Sequence, residues 1–389
     1  MRILTSVPLT LTAALFAAYS TVGAQAPAAP APTLSYTVDE VHREVVVELS
    51  PLDLAAHATH HQVQQPVPQV LVVPITGWFE GYSGEVVDSA GHHAPSVLIH
   101  HLNLIVPQRR ELFSTIMQRM GAAGAETPPV ELPELLGHPV LGYPIDKGDS
   151  LLITLMLNNP TDVAYHNARL RVHLRYAPRD VWPSPVSIFP FYLDVTPPAG
   201  PHGYDLPAGH SEKSWEGRPA IAGRILAIGG HLHQYGVDIV LTDVTTGRVI
   251  WKTAPVTDAD RRIVQIPTKT YWWRLGIPIF PDHTYRATAV YDNPTGHAIP
   301  DGAMGTIGGV FLPADVTHWP PVDPTTAEYK RDVTSTYDTQ MDDMDDMQGM
   351  DGAPGATRLV AGTTGDSHAG MRKGMLNTSI PTRRPAQTQ

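Results

Sequence analysis

Cysteine is absent from the chain, which excludes disulfides, thiolate metal ligands and cysteine nucleophiles together. Any metal site must then draw on imidazole, thioether and carboxylate donors. A chain of 389 residues can bury enough apolar surface to fold without disulfide staples. Basic clusters are lacking too. With 27 Lys and Arg against 38 Asp and Glu the formal charge is -11, and phosphate backbones are bound through Lys/Arg patches, so nucleic acid is not an expected partner. Much of the negative excess lies near the C-terminus, and the rest of the chain is closer to neutral. No segment beyond the N-terminal leader is long and apolar enough to span a membrane. Nucleophile elbows, Walker loops, His-Glu-x-x-His and dinucleotide fingerprints do not occur in a usable context.

What the chain does contain is proline, 38 residues, and glycine, 32, a composition suited to many short strands joined by turns. The first residues read as an export signal. Arg2 supplies the charged start, Val7 to Ala18 the apolar stretch, and Val22-Gly23-Ala24 the small-residue cleavage pattern. The expectation is a signal peptide over 1–24, cleavage near Ala24, and a secreted or periplasmic protein. An Ala/Pro spacer follows over 25–33.

Strand-type runs then recur: Arg43 to Leu49, Val67 to Pro74, Val97 to Val106, Leu151 to Asn158 and Ala168 to Tyr176. In Arg169-Leu170-Arg171-Val172-His173-Leu174-Arg175-Tyr176 apolar and polar side chains alternate, which puts one face in a core and the other in water. After the proline-rich stretch from Pro178 to Pro190 a second series follows, from Ile188 to Val195 through Thr306 to Leu312, with Thr246-Gly247 as a hairpin turn. The spacing of Leu112, Ile116, Met117 and Met120 predicts a helix over Gln108 to Gly121. The fold class expected is all-β, with two antiparallel β-sandwich domains in tandem over 34–184 and 185–322. Residues 323–389, which include the acidic Met341, Met344, Met347 and Met350 repeat, read as a disordered tail.

Two constellations carry chemistry. In Gly229-Gly230-His231-Leu232-His233-Gln234, residues two apart on a strand share a face, so His231 and His233 can hold one ion. Imidazole suits copper, zinc, iron or nickel. Met304, set among Gly302, Ala303 and Gly305, offers a thioether that suits a soft ion such as Cu(I), or else simply fills a gap in a loop. The second constellation is His100-His101. Adjacent strand residues point to opposite faces, so the two reach a common ion only through a bulge or a strand end. His57, His60 and His61, spaced i, i+3 and i+4, could share a helix face and bind a metal, but they and His92 and His93 lie in polar stretches and read as solvated surface residues or adventitious binders.

The order His-His in a strand, then His-x-His, then one Met after a Gly/Pro loop resembles the copper type II, ascorbate-dependent monooxygenases. These include peptidylglycine α-hydroxylating monooxygenase and dopamine β-monooxygenase. The resemblance spans most of residues 34 to 320 and is sharpest from Ile221 to Leu312. It implies two jelly-roll-like sandwiches with one copper each across a cleft. His231, His233 and Met304 would match the copper that binds dioxygen, and His100 and His101 two of three ligands of an electron-donating copper. At the third histidine of that second set this chain has Leu157 or Asn158, with His166 and His173 nearby. The function implied by the resemblance is that of a copper-dependent, monooxygenase-like protein that takes a small-molecule substrate and an external reductant. The alternatives are a non-catalytic copper-binding or storage protein, its methionine-rich tail capturing further copper, and a carbohydrate- or partner-binding sandwich without metal.

Overall fold

A computed structural model describes residues 31–124, 129–200, 202–259, 263–272 and 275–337. The leader and the methionine repeat Met341 to Met350 lie outside the described residues. The chain is an all-β sandwich protein, as composition and alternation predict.

The first half contributes β1 (Thr33–Asp39), β2 (Glu44–Leu54), β3 (Gln69–Val72), β4 (Gly77–Val87), β5 (Ile99–Arg110), β6 (Met117–Ala123), β7 (Leu141–Ile145), β8 (Ser150–Leu157) and β9 (Tyr165–Pro178). Among the described residues these form a seven-stranded sheet along β1-β2-β9-β4-β7, completed by the short strands Val186–Ser187 and Val130–Glu131, and a four-stranded sheet ordered β3-β8-β5-β6. The inward residues of both sheets, among them Val45, Val47, Leu102, Leu104, Ile153, Leu155, Val172 and Leu174, make one core. The polar partners of that alternation, such as His173, stay on the outer face, where His173 lies 3.2 Å from both Glu44 and Glu85.

The second half contributes β10 (Phe189–Asp194), β11 (Gly209–Gly217), β12 (Gly223–Leu232), β13 (Gly236–Asp243), β14 (Arg248–Thr253), β15 (Tyr285–Asn293), β16 (Ile299–Ala303) and β17 (Gly305–Pro313). One sheet runs β10-β17-β12, with Lys269–Thr270 and Ile277–Ile279 also on β12; the other is ordered β11-β15-β13-β14. Leu193, Ile228, Leu232 and Ile307 of the first face Ile239, Leu241, Ala289 and Tyr291 of the second. Gly247, at the turn between β13 and β14, has φ +70°, a conformation glycine adopts without steric cost.

Two stretches differ from expectation. Residues 108–121 are not a helix: β5 runs on to Arg110, residues 112–116 bend, and β6 begins at Met117. Their apolar residues recur at helical spacing because they serve different cores. Leu112 and Phe113 enter the core of the second sandwich, whereas Met117 packs with Ile105, Leu152 and Tyr329. The segment expected to be tail opens with a helix, α1 (Ala327–Tyr337). Its Asp332 is fully buried and takes the Arg119 guanidinium at 2.5 Å and the Met117 N–H at 3.0 Å. Glu328 accepts the Thr115 N–H at 2.8 Å. The β5–β6 loop therefore ties both sandwiches and α1 together. No helix among the described residues is long and apolar enough to cross a membrane.

Candidate metal centre

β12 and β17 pair antiparallel with His231 opposite Thr306 and Leu232 opposite Gly305. The pairing ends there, with His233 just past β12 and Met304 just before β17. Leu232 is buried in the second core, so His231 and His233 turn to the other face of the sheet. Met304 lies half-buried between the buried Ala303 and Gly305. Its small neighbours are small for packing reasons. A Cβ at Gly305 would stand 2.6 Å from Cβ of Ala289 and 2.9 Å from Val195.

The Tyr291 hydroxyl fixes the junction. It accepts the His233 N–H at 2.9 Å and the Met304 N–H at 3.1 Å, and donates to the Met304 carbonyl. A phenol has one donor and two acceptor sites, so all three are used on the two residues proposed from sequence. The Tyr291 ring is fully buried in the second core, and burial pushes its pKa up. The hydroxyl thus stays protonated and able to donate.

The His231 and His233 ring centroids lie 5.3 Å apart with planes at 90°. Two imidazoles bound to one tetrahedral ion at nitrogen–metal distances of ~2.0 Å have centroids about 5 Å apart, so the pair has the separation a shared ion requires. The His231 Nε2 is shielded from solvent. A largely open depression of about 340 Å³ adjoins His233, lined also by Gln234, Tyr235, Ile299 and Gly302. Tyr235 has φ +71°, a left-handed conformation uncommon for a residue with a side chain.

At the other constellation the strand irregularity that a shared ion demands is present. Ile99 pairs with Leu157 and His101 with Met156, leaving His100 as the extra residue of a bulge. The His100 and His101 rings stand 4.3 Å apart. His101 belongs to both constellations electrically. Its pKa is lowered to about 3, first by burial and then by the positive charges of His100, His231, His233 and His60. It is therefore a neutral imidazole across the working pH range, and the histidines of β5 lie within charge range of those at the end of β12.

The residues at the position of the missing histidine have structural work. Leu157 is fully buried in the first core. The Asn158 N–H donates to the Leu98 carbonyl at 3.2 Å, and its Oδ1 is buried with no hydrogen-bond partner among the described residues. His166 and His173 do not substitute: His166 lies 3.5 Å from Asp53, and His173 is on the outer sheet face. His57, His92 and His93 stand at the surface beside Asp162, Asp88 and Glu85.

His60 departs from the surface assignment, whereas His61 is exposed. His60 is half-buried, with its ring 3.8 Å from His61 and 5.0 Å from His100. Gln65 holds the loop in place: its amide donates to the His60 carbonyl at 2.7 Å and the Leu157 carbonyl at 2.9 Å, and accepts the Leu157 N–H at 2.7 Å. Among the described residues no three His, Asp or Glu side chains form a group arranged to hold a metal ion. Met304 is a donor of another kind, and imidazole rings turn about χ1 and χ2 between rotamers.

No family model matches this chain, and neither does any curated protein. Among solved structures it is similar to the VP2 subviral particle of infectious bursal disease virus, at 12% identity over 75% of this chain and 73% of that one, with a TM-score of 0.23. It is also similar to PNGF-II, at 11% identity over 71% of this chain and 60% of that one, with a TM-score of 0.25. Overlaps this low say nothing about activity.

Proposed function

We propose that the chain is an exported copper-dependent, monooxygenase-like protein whose copper is held by His231, His233 and Met304. The observation that carries this is the Tyr291 hydroxyl, which locks the backbones of His233 and Met304 to each other. Two imidazoles and a thioether form a donor set suited to Cu(I) over harder ions. Copper bound there would supply dioxygen activation for hydroxylating a C–H bond, with electrons from an external reductant.

The protein's own residues position that chemistry. The core under Leu232 keeps the two imidazoles on one face, and Tyr291 fixes the turn that carries the second of them. The open depression beside His233 presents Gln234 and Tyr235, which would give a substrate polar contacts. Export follows from the leader sequence.

Reductant-dependent oxygen uptake by copper-loaded protein, lost in Met304→Ala and in His231→Ala, is the expected result. A second reading, copper binding without turnover, is favoured by the close approach of the His60, His61, His100 and His101 rings, which gathers imidazoles into one histidine-rich region. Copper bound at these residues with no oxygen uptake under any reductant would select that reading. Uptake unchanged in both variants would remove the enzymatic one.

A further inference from the structure

Asp194 is a buried carboxylate at the end of β10, and its two oxygens have different work. Oδ1 accepts the Thr196 N–H and the Thr196 hydroxyl, both at 2.9 Å, and so holds the turn that follows the strand. Oδ2 takes no part in that turn. It accepts the Tyr192 hydroxyl at 2.6 Å and the Thr306 hydroxyl at 3.0 Å, with Nδ1 of His202 at 3.4 Å. Burial opposes ionisation of this carboxyl, but hydrogen bonds from His202, Tyr192 and Thr196 outweigh it and hold the pKa below the ordinary carboxylate value. Asp194 is therefore a fixed negative charge inside the protein.

Asp194 pairs with Thr306 across β10 and β17, and Thr306 pairs with His231 across β17 and β12. Residues directly opposite in antiparallel strands lie on the same face, so the three form a row across the sheet with Thr306 in the middle. The row faces away from the second core, which holds the neighbouring Leu193, Val195, Leu232 and Ile307. A hydroxyl has one proton to donate and two lone pairs. The proton of Thr306 is committed to Asp194, which leaves only acceptor capacity for its other neighbours. An imidazole that binds a metal through one nitrogen keeps an N–H on the other, and the group that accepts this N–H fixes the tautomer and the ring orientation. We infer that Asp194 is a positioning residue for His231: by taking the Thr306 proton it sets that hydroxyl as the acceptor for the His231 N–H. The inference rests on the reading of His231 as a copper ligand and extends the centre to Asp194 and Thr306. A negative charge near the ligand also favours the more highly charged Cu(II) over Cu(I).

The test is the affinity of the full chain for Cu(II) and for Cu(I), each measured by chelator competition, with the denaturation midpoint of the metal-free protein as the control for folding. Thr306→Val removes the hydroxyl, and Thr306→Ser keeps it. The valine variant is expected to bind Cu(II) about tenfold or more weakly with a smaller loss for Cu(I), and the serine variant to bind as wild type does. Asp194→Asn should follow the valine variant; should it fold poorly, the valine and serine pair decides alone. Equal losses for both ions, or a loss that serine does not restore, would mean that Thr306 serves packing only and would overturn the inference. Wild-type affinity in Thr306→Val, with binding lost in His231→Ala, would also overturn it while leaving the copper centre in place. If His231→Ala binds copper as wild type does, the centre itself falls and takes this inference with it.

Discussion

Replacing Tyr291 by Phe removes one oxygen from a fully packed core and keeps the ring, so nearly all of the effect falls on three hydrogen bonds. The His233 and Met304 N–H groups lose their acceptor, and the Met304 carbonyl loses a donor. A buried backbone group left unsatisfied costs about 1–3 kcal/mol. His233 and Met304 are half-buried, so water can reach part of the site and the sum should fall at about 2–4 kcal/mol. Chemical denaturation of the metal-free protein measures this as a shift in midpoint at constant m. The same change frees the turn that carries His233 from the residue that carries the thioether. Groups that orient metal ligands typically contribute ~10–100-fold in metal affinity. Competition with a Cu(I) chelator should show a loss of that size in Tyr291→Phe. If the variant loses stability but binds Cu(I) as tightly as wild type, Tyr291 is only a core hydrogen bond and does not organise a metal centre.

Other outcomes rest on the same structure. Met304→Leu nearly conserves side-chain volume, so it should cost under ~1.5 kcal/mol of apo stability yet weaken Cu(I) binding markedly; denaturation and chelator competition on one preparation separate the two effects. Asp332→Ala leaves the Arg119 guanidinium buried without its carboxylate, a change that costs about 3–5 kcal/mol. Denaturant midpoints and proteolysis near α1 should both report it, and an unchanged midpoint would mean the helix is not docked. Glu111 is buried with its pKa raised to about 8, burial being the main cause; the Arg119 guanidinium beside it is already taken by Asp332. An unfolded Glu ionises near ~4.3, so between that pH and about 8 the folded state holds the extra proton. Stability should therefore fall as pH rises through this window, by up to ~1.4 kcal/mol per unit, and level off above it. In Glu111→Gln that slope should vanish; a slope that persists would assign the pH dependence to other groups.

Strand positions are legible in the sequence wherever one face alone meets a core, as along β9, where Leu170, Val172 and Leu174 alternate with Arg171, His173 and Arg175. Other elements hide their signal. β4 is broken up by Gly81 and Gly84, and the structure shows why: a Cβ at Gly84 would stand 2.6 Å from Cδ2 of Leu102 on the facing sheet. The stretch 108–121 imitates a helix because Leu112, Met117 and Met120 feed three different clusters within a few residues. At the proposed metal centre the shared face of His231 and His233 follows from strand period alone. The tie of the Met304 backbone to that of His233 runs through the Tyr291 hydroxyl of another strand, at which the Gly/Pro loop before Met304 only hints. His60 gives no local sign, since its place beside His100 depends on a Gln65 contact to Leu157, 92 residues away.

The central claim is a sulfur and two imidazoles on one copper. X-ray absorption of the full chain loaded with a single equivalent of Cu(I) should show a sulfur ligand alongside nitrogen in wild type and nitrogen alone in Met304→Leu. An unchanged sulfur signal in that variant, or none in wild type, would contradict it.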